Sequence, residues 1–292
     1  MHSSVPTLIL FGSLLLSTNP LRAQQLALSA EAQLAAKSVR PAAIKAAMQY
    51  LADDKLEGRY PGSRGYELAA AYVQGQLQAY GLQPAGEKGT YRQAVPLRRW
   101  QVRPAASALA LVQNGRERPL VYGKSFFLFA NPHQASAEVQ APVVFVGYGV
   151  SAPELGYDDF AGVDVKGKIV ACFNGAPASF PTTQRAYYTS AKAEMAAAHG
   201  AVGLVTFSLP TGSPLAFERV RLSAAKGLYR WLDPQGTPQR TVPAIQATAM
   251  LSDSAAQWLF ARAPVSFATA TANGLTGAVA CPVGQALAPV GI

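Results

Sequence analysis

A chain of 292 residues, half of them apolar and 14% charged, has material for one or two domains and is too apolar for a disordered segment. Its formal charge of +9 is thinly spread. The densest groups, Arg98, Arg99 and Arg103 and then Arg219, Arg221, Lys226 and Arg230, lack the interleaved aromatics of a nucleic-acid stripe, so nucleic acid is not an expected partner. Two readings of these groups stay open, a solvated face or an anionic partner.

In chain order, Val5 to Leu16 is an apolar run too short to span a bilayer, and it leads to Leu21-Arg22-Ala23 before Gln24. It reads as a signal peptide over residues 1–23, cleaved on export to the periplasm or outside the cell. No later segment is long and apolar enough to hold the mature chain in a membrane. Two cysteines remain. Cys172 lies in an apolar run, as a small buried hydrophobe would, and Cys281 lies in a Gly/Pro/Ala tail; export permits a disulfide, but settings so unlike favour two free thiols.

From Ser29 to Leu51, Ala, Leu and Ile44 recur at helical spacing around Pro41, which predicts two helices rather than one. The second carries Ile44, Ala47, Met48 and Leu51 on one face. A glycine-broken polar loop, LADDKLEGRYPGSRG, ends at Gly65. The next helix, Tyr66 to Tyr80, sets Leu68, Ala69, Tyr72, Val73, Leu77 and Tyr80 on a stripe and stops at Gly81. Alternation over Tyr91 to Leu97 predicts a strand.

The order LADDKLEGR, PGSRGYELAAAYV, GLQPAG and YRQAVPL, spanning Ile44 to Leu97, resembles the start of exported bacterial aminopeptidases of metallopeptidase family 28. In that family a protease-associated (PA) domain is inserted just after such a block.

Several short strands are predicted from Ala105 to Phe129, with Asn114-Gly115 as a turn. The organising stretch follows, VVFVGYGVSAPELGYDDFAGVDVKGKIVACFNGAP from Val143 to Pro177. Its ends, Val143 to Val146 and Ile169 to Phe173, read as strands, and the glycines and Pro153 between them leave no room for a helix. Downstream, Thr183 to His199 reads as a helix, Val202 to Phe207 as a strand, and Ser252 to Arg262 as a helix capped by Ser252. GYG followed by YDDFAG-DVKGKIV, then HGAVGLV, resembles the core of the PA domain. After Ala263 the chain is Ala, Gly, Val, Thr and Pro with no period, and resembles neither family.

Candidate chemistry is sparse. The histidines of the mature chain are His133, in a loop, and His199, before Gly200 at a predicted helix end. A ligand role competes with a surface position for the first and a helix-capping role for the second. Asp158, Asp159 and Asp164 lack the closing Glu of a calcium loop and suit turns or caps. Glu57 and Arg59 are read as an ion pair or cap rather than as catalytic groups. Ser63 has no nucleophile elbow around it, and Gly123-Lys124-Ser125 has Arg118 where a phosphate loop needs glycine.

The expectation is an α+β protein: the signal peptide at 1–23, the helical front of an α/β aminopeptidase domain at 24–100, a PA domain at 101–262, and a divergent or truncated tail at 263–292. The resemblance implies zinc-dependent removal of amino-terminal residues from peptides, with peptide or protein as substrate. It also implies two zinc ions held by a His-x-Asp, an Asp-Asn-x-Ser-Gly run, a Glu-Glu pair, a further acid and a last His, none of which this sequence contains. No catalytic, cofactor or metal-binding residue is therefore expected in this chain. The rival expectation is a non-catalytic PA module that binds peptide or protein.

Overall fold

The computed structural model describes residues 29–129, 131–208, 216–224, 227–272 and the backbone of 279–291. The expected signal peptide lies outside the described residues. The chain divides into two compact units, Met1–Gln93 and Ala94–Ile292.

In the first unit, α1 (Ala30–Ser38) is capped by Ser29, whose hydroxyl accepts from Ala32 N–H at 3.1 Å. Pro41 does not break a helix but opens α2 (Pro41–Leu51), because a residue with fixed φ and no N–H suits the first turn. α3 (Arg64–Ala79) begins with Ser63 accepting from Tyr66 N–H at 3.2 Å. It ends in a Schellman turn, with Gly81 at φ 72° and Leu82 N–H reaching Leu77 O. Gly65 explains the PGSRG run: a β-carbon there would lie 1.8 Å from the Leu56 carbonyl oxygen, so only glycine lets α3 start against that backbone. Tyr50 of α2 and Tyr72 of α3 stack at 4.2 Å. The rest of the shared apolar face is left open, Met48 and Tyr80 being 66% and 69% exposed along a groove of about 800 Å³. Tyr91 to Pro96 is not a strand. Glu87 N–H donates to Arg92 O, Arg92 N–H to Thr90 Oγ1 and Gly86 N–H to Thr90 O, and Tyr91 donates its hydroxyl to Leu82 O, so the alternation there serves a turn.

The second unit starts with β1 (Leu97–Trp100), then β2 (Ala110–Gln113) and β3 (Arg116–Pro119). Asn114 and Gly115, both at positive φ, make the tight turn between β2 and β3. There follow β4 (Phe126–Phe129), β5 (Ser136–Phe145), the short pair β6 (Ser151–Ala152) and β7 (Tyr157–Asp158), and β8 (Ile169–Phe173). The expected single helix before β9 (Gly203–Phe207) is two, α4 (Thr182–Ser190) and α5 (Lys192–Ala198), parted at Ala191. α6 (Ala216–Ala224), β10 (Leu228–Trp231), β11 (Ala247–Leu251), α7 (Asp253–Leu259), α8 (Phe267–Ala272) and β12 (Val279–Gly291) complete the order. The fold is α+β.

The sheet runs β3-β2-β12-β5-β8-β9-β11-β4, parallel from β5 to β11 and antiparallel elsewhere. The period of two divides its core into two layers. Val143, Phe145, Ala171, Phe173, Val205, Phe207, Ala249 and Leu251 point to one face, packed under α7 and α8. Phe145, Phe173, Phe207, Phe260 and Phe267 meet there edge to face, tilted or stacked at 5.0 to 6.0 Å, each contact worth about 0.5–1.5 kcal/mol beyond its burial. Val144, Val146, Val170, Cys172 and Leu204 point to the other face, under Ala196 of α5 and beside Phe160 and Val165. The tail, which shows no period in sequence, contributes β12 between β2 and β5, with register shifts around Pro282 and Gly284.

Candidate functional site

Two features stand out in the second unit: a buried polar clamp and an open cleft. The clamp is built on the GYG turn after β5. Gly147 and Gly149, at φ 54° and 63°, reverse the chain so that Tyr148 and Val150 aim their N–H groups inward. Asp159, 1% exposed, takes both on Oδ2 at 2.9 and 3.2 Å, and takes the Tyr157 hydroxyl on Oδ1 at 2.8 Å. Burial, the Asp159 charge and that hydrogen bond drive the Tyr157 pKa upward. The turn's remaining outward group, Tyr148 O, receives Lys192 Nζ at 2.5 Å. Lys192 is itself buried, and desolvation depresses its pKa, opposed by Cys172 and Asp159. Cys172 packs under Gly149, where a β-carbon would come within 3.1 Å of its Sγ, and burial pushes its thiol up to about 11. That thiol is free and hydrophobic in character. The side chain of Cys281 lies outside the described residues.

Of the three aspartates suited to turns, Asp158 and Asp164 are turn residues, accepting from Phe160 N–H and Lys166 N–H at 3.0 Å each. Asp164 also pairs with Lys168, whose hydrogen bond holds its pKa down. Asp159 does more than form a turn, and sequence reasoning missed it. Its signal was adjacency: in an alternating Tyr-Asp-Asp run one carboxylate faces water and the next faces in.

The cleft, about 430 Å³, opens where α5 ends its cover of the sheet. Leu204, Thr248 and Phe129 stand in register across β9, β11 and β4 and form its floor with Thr206. Thr189, Ala193 and Glu194 form one wall. The other is the β1–β10 ribbon, which brings Trp100, Leu228 and Arg230 to the opening, with Arg240 beyond. Trp100 donates its indole N–H to Pro132 O at 3.1 Å, and Asn131, buried, donates to Ile245 O at 3.3 Å, so the rim is pinned by side chains.

The sequence-derived candidates make local contacts. His133 bonds Thr241 Oγ1 through Nε2 at 2.6 Å; Thr241 gives its own hydrogen to Pro238 O, so the imidazole is the donor. His199 caps α5, with Nδ1 2.8 Å from Met195 O and its ring stacked on Phe160 at 4.1 Å. Ser63 is the cap of α3, and Glu57 and Arg59, both at positive φ, form no ion pair with each other among the described residues. Gly123, Lys124 and Ser125 make the turn into β4. A pair of zinc ions bridged by water needs several converging His, Asp and Glu side chains. Among the described residues no three such groups, or cysteines, converge, and both histidines are committed elsewhere. The residues present do not fit that centre.

The two arginine groups, separate in sequence, do meet: β1 pairs β10 antiparallel with Arg98 opposite Arg230 and Arg99 opposite Tyr229. Among the described residues no helix is long and apolar enough to cross a membrane.

Among solved structures, the aminopeptidase from Aneurinibacillus sp. strain AM-1 aligns at 17% identity over 84% of this chain and 45% of its own, with a TM-score of 0.35. BSAP, a zinc aminopeptidase from Bacillus subtilis, aligns at 14% identity over 84% of this chain and 43% of its own, with a TM-score of 0.31. The chain thus spans less than half the length of either. No curated protein matches the sequence. Residues 119–253, which contain the GYG turn, the Asp159 clamp and most of the cleft, match the PA domain family, and the chain therefore carries a PA domain.

Proposed function

We propose that this chain is the peptide-binding side of an exported zinc-dependent aminopeptidase, with residues 24–100 from the front of the peptidase domain and 101–262 as the PA domain. By itself it binds peptide and hydrolyses none. The observation that carries the reading is the PA domain at 119–253, with an open cleft on its sheet, directly after a block ordered like the front of family 28 enzymes. Support for inertness comes from the inventory of side chains, since His133 and His199 are tied to Thr241 and Met195 and, among the described residues, no three His, Cys, Asp or Glu groups converge. The partner is a peptide or protein chain, and zinc would be held by residues outside this sequence. The compartment proposed is the periplasm or the cell exterior, after removal of residues 1–23.

The experiment is metal analysis after dialysis against zinc, together with release of nitroaniline from aminoacyl-nitroanilides. Substoichiometric zinc and no turnover are expected. Turnover that a chelator abolishes would overturn the proposal. A second reading, a free-standing PA binding module, is favoured by the cleft being complete without any catalytic group. The two separate on the coding DNA around codon 263: His-x-Asp and Asp-Asn-x-Ser-Gly in another frame supports the peptidase, and their absence supports the module.

A further inference from the structure

We propose that the cleft of the PA domain selects a carboxylate on its peptide ligand and holds it between the guanidinium groups of Arg230 and Arg240, an inference that rests on the peptide-binding reading above. The first ground is the ribbon. Register places Arg98 directly opposite Arg230, an arrangement of like charges that opposes strand pairing. Among the described residues neither Arg98 nor Arg230 shares the ion pairs Lys55–Asp53, Arg92–Glu67 and Lys168–Asp164. The nearest acid in the chain, Asp233, is engaged by the N–H groups of Gln235 and Thr237 and by Gln239 Nε2.

The second ground is orientation. Arg230 is half-buried, and it donates Nε to Arg240 O at 3.3 Å and Nη1 to Tyr229 O at 3.0 Å. Those bonds fix the plane of the guanidinium of a residue that lines the cleft. The residue whose carbonyl fixes it, Arg240, is held at φ 53° and lines the same opening. A planar fork with spare N–H groups matches a carboxylate better than it matches a neutral amide.

The third ground is the balance of the lining. Among the described residues Glu194 is its one carboxylate, and Lys192 turns away to Tyr148 O, so Arg230 and Arg240 leave a small positive excess suited to one carboxylate, not to a polyanion. Trp100, Leu228 and Phe129 supply an apolar surface for the adjoining side chain, and about 430 Å³ lies within the roughly 300–1,000 Å³ of small-ligand sites. The carboxylate has two possible sources, the carboxyl terminus of a chain or an acidic side chain.

The test titrates the full chain, followed by tryptophan fluorescence and calorimetry, with acetyl-Ala-Ala-Phe as free acid, the same peptide as its amide, and acetyl-Ala-Ala-Glu-amide. The free acid or the Glu peptide is expected to bind roughly tenfold or more tighter than the Phe amide, weakening as salt rises. The tighter of the two identifies the source. Arg230→Gln and Arg240→Gln should each erase that preference, and Arg103→Gln, on an exposed residue outside the cleft, should not. Arg240→Gln, at the rim, keeps the test independent of any folding defect in Arg230→Gln. Equal binding of all three peptides would overturn the carboxylate inference and leave peptide binding standing. Binding of an oligonucleotide or an anionic vesicle with no peptide bound would overturn both.

Discussion

Replacing Asp159 by alanine removes the acceptor for three groups at once: the N–H groups of Tyr148 and Val150 and the hydroxyl of Tyr157. The two N–H groups belong to a turn packed against the sheet, where water does not replace the lost oxygen. A buried donor left without an acceptor costs about 1–3 kcal/mol, so two give about 4 kcal/mol for Asp159→Ala. Asp159→Asn keeps one acceptor oxygen and loses the charge, which puts it at about 2 kcal/mol, and Tyr157→Phe removes only a donor and costs about 1 kcal/mol. Urea unfolding followed by tryptophan fluorescence is the assay. The protein's three tryptophans, Trp100, Trp231 and Trp258, all lie in the second unit, so the signal reports the body that holds Asp159. At about 2–4 °C per kcal/mol, the alanine variant should also melt roughly 10 °C lower. The order Ala, then Asn, then Tyr157→Phe is the signature. An Asp159→Ala variant within about 0.5 kcal/mol of the parent would refute the clamp.

Lys192 gives a pH prediction. Desolvation sets its native pKa below the ordinary 10.5, so between the two values the unfolded chain binds more protons than the native one. Its contribution to stability is therefore fully present above 10.5 and lost as pH falls through the native value; in Lys192→Met that dependence disappears, and the stability difference between parent and variant should swing toward the parent as pH rises in that window. A difference constant with pH would contradict it. Gly65→Ala forces a β-carbon to 1.8 Å from Leu56 O and should unfold the first unit selectively, seen as loss of amide protection in α2 and α3 with the sheet unchanged. In the unmodified protein those helices, with Met48 and Tyr80 open to solvent, should exchange faster than β5, β8 and β9; equal protection would show that their exposed face is covered. Cys172, fully buried with its thiol pushed up to about 11, should react with a disulfide reagent only on unfolding.

Much of the fold was readable where its cause was local. Asn114-Gly115 encodes its turn because both residues accept positive φ, Ser252 carries the hydroxyl that caps its helix, and the alternation in β8 puts successive side chains into two different cores. Local pattern misled at Tyr91 to Pro96, whose alternation serves a turn, and it was silent at Val279 to Gly291, where two prolines and two glycines hide a strand. The candidate site was less readable still. Asp158 and Asp159 are identical neighbours, and only the path of the chain decides which one is buried.

The amino-acid sequence by itself determined where turns, caps and apolar faces fall, because each depends on the dihedral preference or hydrogen-bonding atoms of residues a few positions apart. Only the tertiary structure decided that Arg98 would face Arg230 across a ribbon, that Asp159 would hold the GYG turn, and that a cleft would stay open beside α5. Those pairings join segments up to 132 residues apart, and their register follows from the burial of the whole sheet, a sum over many contacts that no short window of residues contains.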